Sequence, residues 1–217
     1  MLLSLVLSSS LLLAQNPAPQ GDKGASKGDQ PSQQTVLRMA KDIQKEVLTL
    51  PNYSVFDWIT FSFNRYNVTL NGFASRPVLK DSAERVVKNV EGVAAVDNRI
   101  QVLPLSPNDD RVRTQAYARI YGNTQLSRYN PNRGTPIYLS PARIAMGLTQ
   151  DPPLGNHPIH IVVQNGNITL FGTVLNEGDK SIAGMQANQV PGGFAVQNNL
   201  QVETSQKPQS SNNPTER

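Results

Sequence analysis

Few side chains in this sequence could perform catalysis or bind a metal. The 217 residues contain no cysteine and two histidines, which excludes disulfides, thiol nucleophiles and Cys-ligated zinc or iron–sulfur sites. His157 and His160 lie three positions apart before a predicted strand, whereas side chains on one strand face are two positions apart. Because no carboxylate cluster accompanies them in the sequence, we predict no metal site.

Asp109 and Asp110 are an adjacent pair of carboxylates, which could act as a general acid and base. Carboxylates are also favoured at helix N-termini, where the helix dipole is positive. We therefore predict that Asn108, Asp109 or Asp110 caps a helix. The sequence contains no Ser-His-Asp, phosphate-loop or EF-hand spacing. These features predict a protein without catalytic residues or a cofactor.

The composition is typical of ordered domains joined by polar segments. Hydrophobic residues make up 38% and charged residues 17% of the chain, with 15 Gly and 16 Pro. Both shares are below those of an average globular domain. The formal net charge of +4 is modest, and it falls short of the basic signature of nucleic-acid-binding proteins.

Both ends of the chain are predicted to lie outside the folded domains. Residues 1–14 form an apolar run that ends at Ala14, as in a secretory signal peptide, and the run is too short for a membrane span. Residues 15–34 and 205–217 are polar and typical of a disordered linker and tail. We therefore expect an exported protein with no transmembrane span in the mature chain.

An internal repeat with an offset of 100 residues organises the remainder. Aligning residues 57–102 with residues 157–202 requires no gap over 46 positions and gives 14 identities. An ungapped match of this density indicates two copies of one module. Hydrophobic periodicity predicts the order helix, strand, strand, helix, strand in each copy. In the first copy, Ser75 is a candidate N-cap for the second helix.

The two copies differ in their connections. Asn165-Gly166 predicts a two-residue hairpin in the second copy, because both positions tolerate positive φ. Arg65-Tyr66 fits such a turn poorly, so a bulged or longer hairpin is predicted in the first copy. The second copy also contains a proline-rich insertion at residues 123–158, whose length suggests either a function or disorder.

In each copy a Val/Ile-Thr-Leu-x-Gly segment precedes the second helix, and a Gly and a Val-x-Asn-x-Leu/Ile-x-Val strand follow it. These motifs occupy residues 68–102 and 168–202. The sequence thereby resembles a tandem of BON domains. The resemblance implies an α+β fold with two αββαβ modules, each a three-stranded mixed sheet with two helices on one face. We place the first domain at residues 35–104 and the second at residues 108–204.

The resemblance to BON proteins also implies a non-catalytic role at the bacterial envelope. We expect a periplasmic or otherwise exported protein that binds anionic phospholipid or an envelope protein and supports envelope integrity or osmotic stress tolerance. No nucleic-acid partner is expected. The alternative is a periplasmic protein–protein adaptor that docks through the insertion at residues 123–158.

Two groups of residues follow as site predictions. Four glycines that recur in the repeat are expected to be structural: Gly72, Gly92, Gly172 and Gly192. Trp58 either packs under the linker or between the modules, or it anchors the protein in a membrane interface. Five residues of the insertion either pack within the loop or form a basic and aromatic contact surface: Arg128, Tyr129, Arg133, Tyr138 and Arg143.

Overall fold

The computed structural model describes residues 30–130 and 157–203, and the predicted signal peptide and C-terminal tail lie outside them. The first module contains α1 (Gln33–Leu48), β1 (Trp58–Asn64), β2 (Asn67–Ala74), α2 (Pro77–Lys88), β3 (Ala95–Asn98) and β4 (Gln101–Val102). The second module contains α3 (Pro107–Tyr121), a 3-10 helix (Thr124–Tyr129), β5 (Ile159–Gln164), β6 (Asn167–Val174), α4 (Glu177–Asn188), β7 (Ala195–Asn198) and β8 (Gln201–Val202). From β2 onward, the matching elements begin 100 residues apart, as the repeat predicts.

The two sheets have the same mixed topology. In the first module, β1 is antiparallel to β2, while β3 and β4 run parallel to β2 on its other side. The second module repeats this arrangement with β5 to β8. The predicted α+β fold with mixed sheets is therefore confirmed, with the third strand of each sheet formed in two short pieces.

The structure shows which residues cap the helices, and two of the predicted caps are wrong. The Ser32 side chain accepts a hydrogen bond from Thr35 N at the start of α1. The prediction that Ser75 caps α2 is wrong, because Arg76 precedes the helix and makes no side-chain cap bond. The prediction of a cap within residues 108–110 is also wrong, since Ser106 caps α3 and leaves Asp109 for another partner.

Both β-hairpins have two-residue turns. The strand register pairs Asn64 with Asn67 in the first module, and Arg65 adopts a φ of +58°. The prediction of a bulged or longer hairpin is therefore wrong. A hydrogen bond outside the turn accounts for this difference from the prediction: Ala94 N donates to Tyr66 O at 2.8 Å. This bond offsets the conformational cost of the left-handed Arg65, which is about 1 kcal/mol or more.

Two glycines within β2 and β6 occupy positions that exclude a side chain. Gly72 and Gly172 have φ values of +117° and +118°, which favour glycine. A Cβ at Gly72 would overlap the Trp58 carbonyl oxygen, and one at Gly172 would overlap that of Pro158. The antiparallel partner strand therefore passes too close for any other residue. Gly92 and Gly192 also have positive φ.

The two modules belong to one compact unit of the chain. Each has its own apolar cluster between helices and sheet. The segment between α1 and β1 crosses from one to the other, because Val55 and Phe56 are buried in the cluster of the second module. Ile161 N also donates to Val55 O at 2.8 Å. The modules thus share backbone pairing as well as apolar packing.

Candidate functional site

Aromatic side chains from both sheets form the junction between the modules. Trp58 stacks on Phe171, with ring centroids 5.5 Å apart and ring planes at 4°, and Phe73 lies 6.1 Å from the same ring. Trp58 is half-buried. The structure shows Trp58 packed between the modules, because its ring stacks on Phe171 of the second sheet.

The two histidines are buried in this junction. The His160 ring lies 5.1 Å from Trp58 and 5.6 Å from Tyr53. Burial, and to a lesser degree the neighbouring His157, lowers the pKa of His160 to about 4, so its imidazole is neutral at physiological pH. Among the described residues, no group of three or more acidic or histidine side chains could hold a metal ion.

Tyr129 connects the start of the insertion to the second module. Its side chain is buried, and its hydroxyl donates to Asp179 Oδ2 at 2.6 Å and accepts from Leu175 N at 2.8 Å. Arg128 Nη1 lies 3.7 Å from Asp179 Oδ2. Tyr129 is thus a core residue and is not available as a surface contact, because burial and two hydrogen bonds hold it against the N-terminus of α4.

The remaining predicted contact residues, Arg133, Tyr138 and Arg143, lie outside the described residues. The same holds for most of the insertion on which the adaptor alternative depends. The contact surface predicted for this loop is therefore a hypothesis. The described part of the chain offers a different aromatic residue.

Phe194 is an exposed aromatic residue that sequence reasoning missed. It is 80% exposed and lies over the β5–β6 hairpin, where a Cβ at Gly166 would be 2.6 Å from its ring. Phe194 N donates to Gly166 O at 2.9 Å. The ring is therefore held on a fixed turn while most of its surface faces solvent. The sequence feature that could have identified Phe194 is the repeat, because the first copy has Ala94 at the matching position.

A positive charge lies against Gly192, two residues before Phe194 in the chain. Arg111 is exposed, and its Nη2 lies 3.5 Å from where a Cβ of Gly192 would be. The same nitrogen donates to Asn108 Oδ1 at 2.6 Å. Arg111 forms no ion pair with any carboxylate in the described ranges. We call these residues the Phe194 tip: Asn108, Arg111, Gly166, Gly192 and Phe194.

Asp109 fixes the hairpin beneath the tip and forms no ion pair with Arg111. Its carboxylate is buried and accepts from Asn165 N at 2.8 Å and Gly166 N at 2.7 Å. The neighbouring Asp110 pairs with Arg113 at 2.6 Å. Both carboxylates of the predicted pair therefore have structural partners, and the tip presents a ring and a guanidinium to solvent.

Comparison with protein families gives a match to the BON domain over residues 58–104 and 142–204. The matched segments make up just over half of the chain, and one falls in each module. The chain belongs to the BON family. The tandem arrangement expected from the repeat is thereby confirmed. BON domains occur in periplasmic and envelope proteins, which supports a membrane-associated role, and the BON family is not an enzyme family.

Two solved structures similar to this BON protein are of CdsD, a structural protein of the type III secretion system of Chlamydia trachomatis, one of them its C-terminal domain. Each is 15% identical with a TM-score of 0.24. They cover 75% and 76% of this chain, and 96% and 92% of their own. Comparison with curated proteins gives no match.

No helix within residues 30–130 and 157–203 is both long enough and apolar enough to cross a membrane.

Proposed function

We propose that this protein is an exported, non-enzymatic BON protein that binds anionic phospholipid surfaces through the Phe194 tip and supports envelope integrity or osmotic stress tolerance. The observation that carries the proposal is the 80% exposed Phe194 ring, with Arg111 lying against Gly192 two residues away in the chain. Interfacial membrane contacts commonly combine an aromatic side chain with a cation. The occurrence of BON domains in envelope proteins supports the same conclusion.

The two side chains supply weak binding. Burial of a phenylalanine side chain contributes about 1.5 to 3 kcal/mol, and a cation near an anionic surface contributes about 1 kcal/mol. Their sum corresponds to an affinity increase of roughly a hundredfold or more, since about 1.4 kcal/mol is a factor of ten. We therefore expect reversible, salt-sensitive association.

Co-sedimentation with phosphatidylcholine vesicles, with and without phosphatidylglycerol, tests the proposal. The wild type is expected to sediment with the anionic vesicles. Phe194→Ala, which introduces the residue of the first module, should weaken this binding about tenfold or more. Arg111→Gln should reduce binding to anionic vesicles and its salt dependence.

Leu37→Ala is a matched control for the loss of an exposed apolar side chain. Leu37 is 57% exposed and lies in α1 of the first module, whereas the tip belongs to the second, so this variant should bind like the wild type. Equal sedimentation with both vesicle types would contradict the proposal. Unchanged binding of Phe194→Ala would contradict the assignment to the tip.

A further inference from the structure

Leu105 is the most exposed large apolar side chain in the described part of the chain. It is 94% exposed and Phe194 is 80% exposed, whereas no other such side chain within residues 30–130 and 157–203 is more than 57% exposed. Single exposed leucines are common on protein surfaces. The exposure of Leu105 is informative because of where this residue lies relative to the Phe194 tip.

The N-terminus of α3 lies at the hairpin end of the second module. Arg113, in the second turn of α3, donates to Val163 O near the end of β5 at 2.7 Å. Tyr121, the last residue of α3, donates to Ile159 O at the start of β5 at 2.7 Å. The helix therefore runs antiparallel to β5, and the segment that precedes α3, which includes Leu105, emerges beside the β5–β6 hairpin.

Hydrogen bonds on both sides fix the backbone around Leu105. Leu103 is buried, and its N–H donates to the carbonyl oxygen of the last residue of β2 at 2.8 Å. Ser106 Oγ accepts from Asp109 N at 3.2 Å, and the Asp109 carboxylate binds the hairpin amides beneath Phe194. The two exposed side chains thus project from one hydrogen-bonded network. A side chain on an ordered backbone loses less conformational entropy on binding than one on a flexible segment.

Both exposed side chains are particular to the second copy of the repeat. The caps of α1 and α3 place Pro31 where the second module has Leu105, and the repeat places Ala94 where it has Phe194. Neither of the first-module residues has a long apolar side chain. Two separate connections of the second module therefore gained a large apolar residue at the same end, as expected if both serve one contact.

The chain enters and leaves the insertion at the opposite end of the second module. Tyr129 OH accepts from Leu175 N, just after β6, at 2.8 Å, and Thr173 N donates to Pro158 O at 3.0 Å. β6 has 8 residues, and a strand rises about 3.3 Å per residue, so this end lies about 25 Å from the hairpin. Leu175 is 50% exposed and provides an exposed leucine there.

We propose that Leu105 is a second membrane anchor, which enters an anionic bilayer together with Phe194. The second module then stands end-on, with the β5–β6 hairpin toward the membrane and the end that carries Leu175 away from it. This role of Leu105 rests on the proposed binding of the Phe194 tip to anionic phospholipid. Interfacial anchors reach about 5 to 10 Å into the boundary between headgroups and acyl chains, so Leu175 remains in water.

Two matched leucine variants of the full chain test the second anchor. Leu105→Ala should weaken co-sedimentation with vesicles of phosphatidylcholine and phosphatidylglycerol about tenfold, because the bilayer no longer buries a leucine side chain. Leu175→Ala removes the same side chain at the opposite end, and it should bind within about twofold of the wild type. Thermal melting of both variants checks that they fold.

Single cysteines report the orientation, since the chain contains no cysteine of its own. A polarity-sensitive fluorophore is attached to Leu105→Cys, Phe194→Cys or Leu175→Cys. In buffer, the labels at positions 105 and 194 should emit as in water. Anionic vesicles should shift the emission of these two labels to the blue, and lipids with a quencher near the headgroup should quench both. The label at position 175 should not change.

The outcomes separate the role of Leu105 from the proposed function. Failure of the wild type to bind anionic vesicles would overturn both. Binding that Phe194→Ala weakens but Leu105→Ala leaves unchanged would overturn the second anchor alone, as would a label at position 105 that stays in water. An equal blue shift at positions 105 and 175 would contradict the end-on orientation. Self-association without lipid that Leu105→Ala abolishes would assign Leu105 to a contact with a second copy and overturn its role in the membrane.

Discussion

Asn98 and Asn198 illustrate how one residue type recurs in both modules for a physical reason. Their Nδ2 atoms donate to Lys80 O at 3.0 Å and Lys180 O at 2.8 Å. Their Oδ1 atoms accept from the backbone N–H groups two residues later. The repeated asparagine therefore ties the break in the third strand to the second helix. The repeat predicted that this residue matters, but the bonds depend on a helix 18 residues away in the chain.

His160 makes the stability of the protein depend on pH. Its pKa is about 4 in the folded protein and 6.5 in an unperturbed side chain. The unfolded state therefore binds the proton more tightly, and the folded state loses stability as the pH falls from 6.5 to 4. The expected loss is about 3 kcal/mol over this range. Urea unfolding at a series of pH values measures it.

His160→Phe is the test variant, because it keeps a ring between Tyr53 and Trp58 but cannot ionise. The wild type should lose more stability than this variant as the pH falls. The difference between the two curves isolates His160 from Asp57, whose pKa is raised by burial and which acts in the opposite direction. Parallel curves for the two proteins would refute a buried neutral imidazole.

At the scale of elements, the predictions that depended on local pattern agree with the structure. The stripe that buries Met39, Ile43 and Val47 of α1 follows from the spacing of apolar residues in a helix. The partners of caps and turns could not be predicted in this way. Asp109 bonds Asn165 and Gly166, which are more than 50 residues away in the chain, and the position of Phe194 depends on that hairpin.

Asp109→Asn should destabilise the second module. An amide oxygen can accept from the hairpin, but its NH2 group would face a backbone N–H and cannot accept from it. A hydrogen bond to a charged group contributes about 1.5 to 3 kcal/mol, so the free energy of unfolding should fall by about 2 kcal/mol. Urea unfolding measures this change, and hydrogen exchange of the Asn165 and Gly166 amides locates it.

Asp97→Asn is the control for Asp109→Asn. Asp97 is half-exposed and pairs with Arg99 on the surface, where such pairs contribute about 1 kcal/mol or less. This variant should therefore lose much less stability. Equal effects of the two substitutions, or unchanged exchange at the hairpin, would contradict the role given to Asp109.

At the scale of the whole molecule, the two modules depend on each other. Domains of this size bury a smaller fraction of their surface than larger domains do, which predicted that the modules pack together. The contacts that join the modules could not be predicted from hydrophobic periodicity. Val55 and Phe56 precede β1 in the chain, but they are buried in the core of the second module. Periodicity assigns residues to a face of an element, and these two lie in a connection.

Phe56→Ala should destabilise the second module although the residue belongs to the first repeat. Phe56 is almost fully buried, and removal of a buried phenylalanine ring costs about 3 to 5 kcal/mol. Phe61→Ala is the matched control. Because Phe61 is only half-buried, its removal should lower the free energy of unfolding by less. Urea unfolding followed by hydrogen exchange measures both. A smaller effect for Phe56 than for Phe61 would contradict the shared core.

The proposed lipid contact is tested most directly by NMR of the full chain with nanodiscs that contain phosphatidylglycerol. We predict that amide signals change at the Phe194 tip, around residues 108–111, 165–167 and 192–195, and that the changes disappear in Phe194→Ala. Nanodiscs of phosphatidylcholine alone should cause much smaller changes. Unchanged signals at the tip, or equal changes with both lipids, would contradict binding to anionic membranes through this surface.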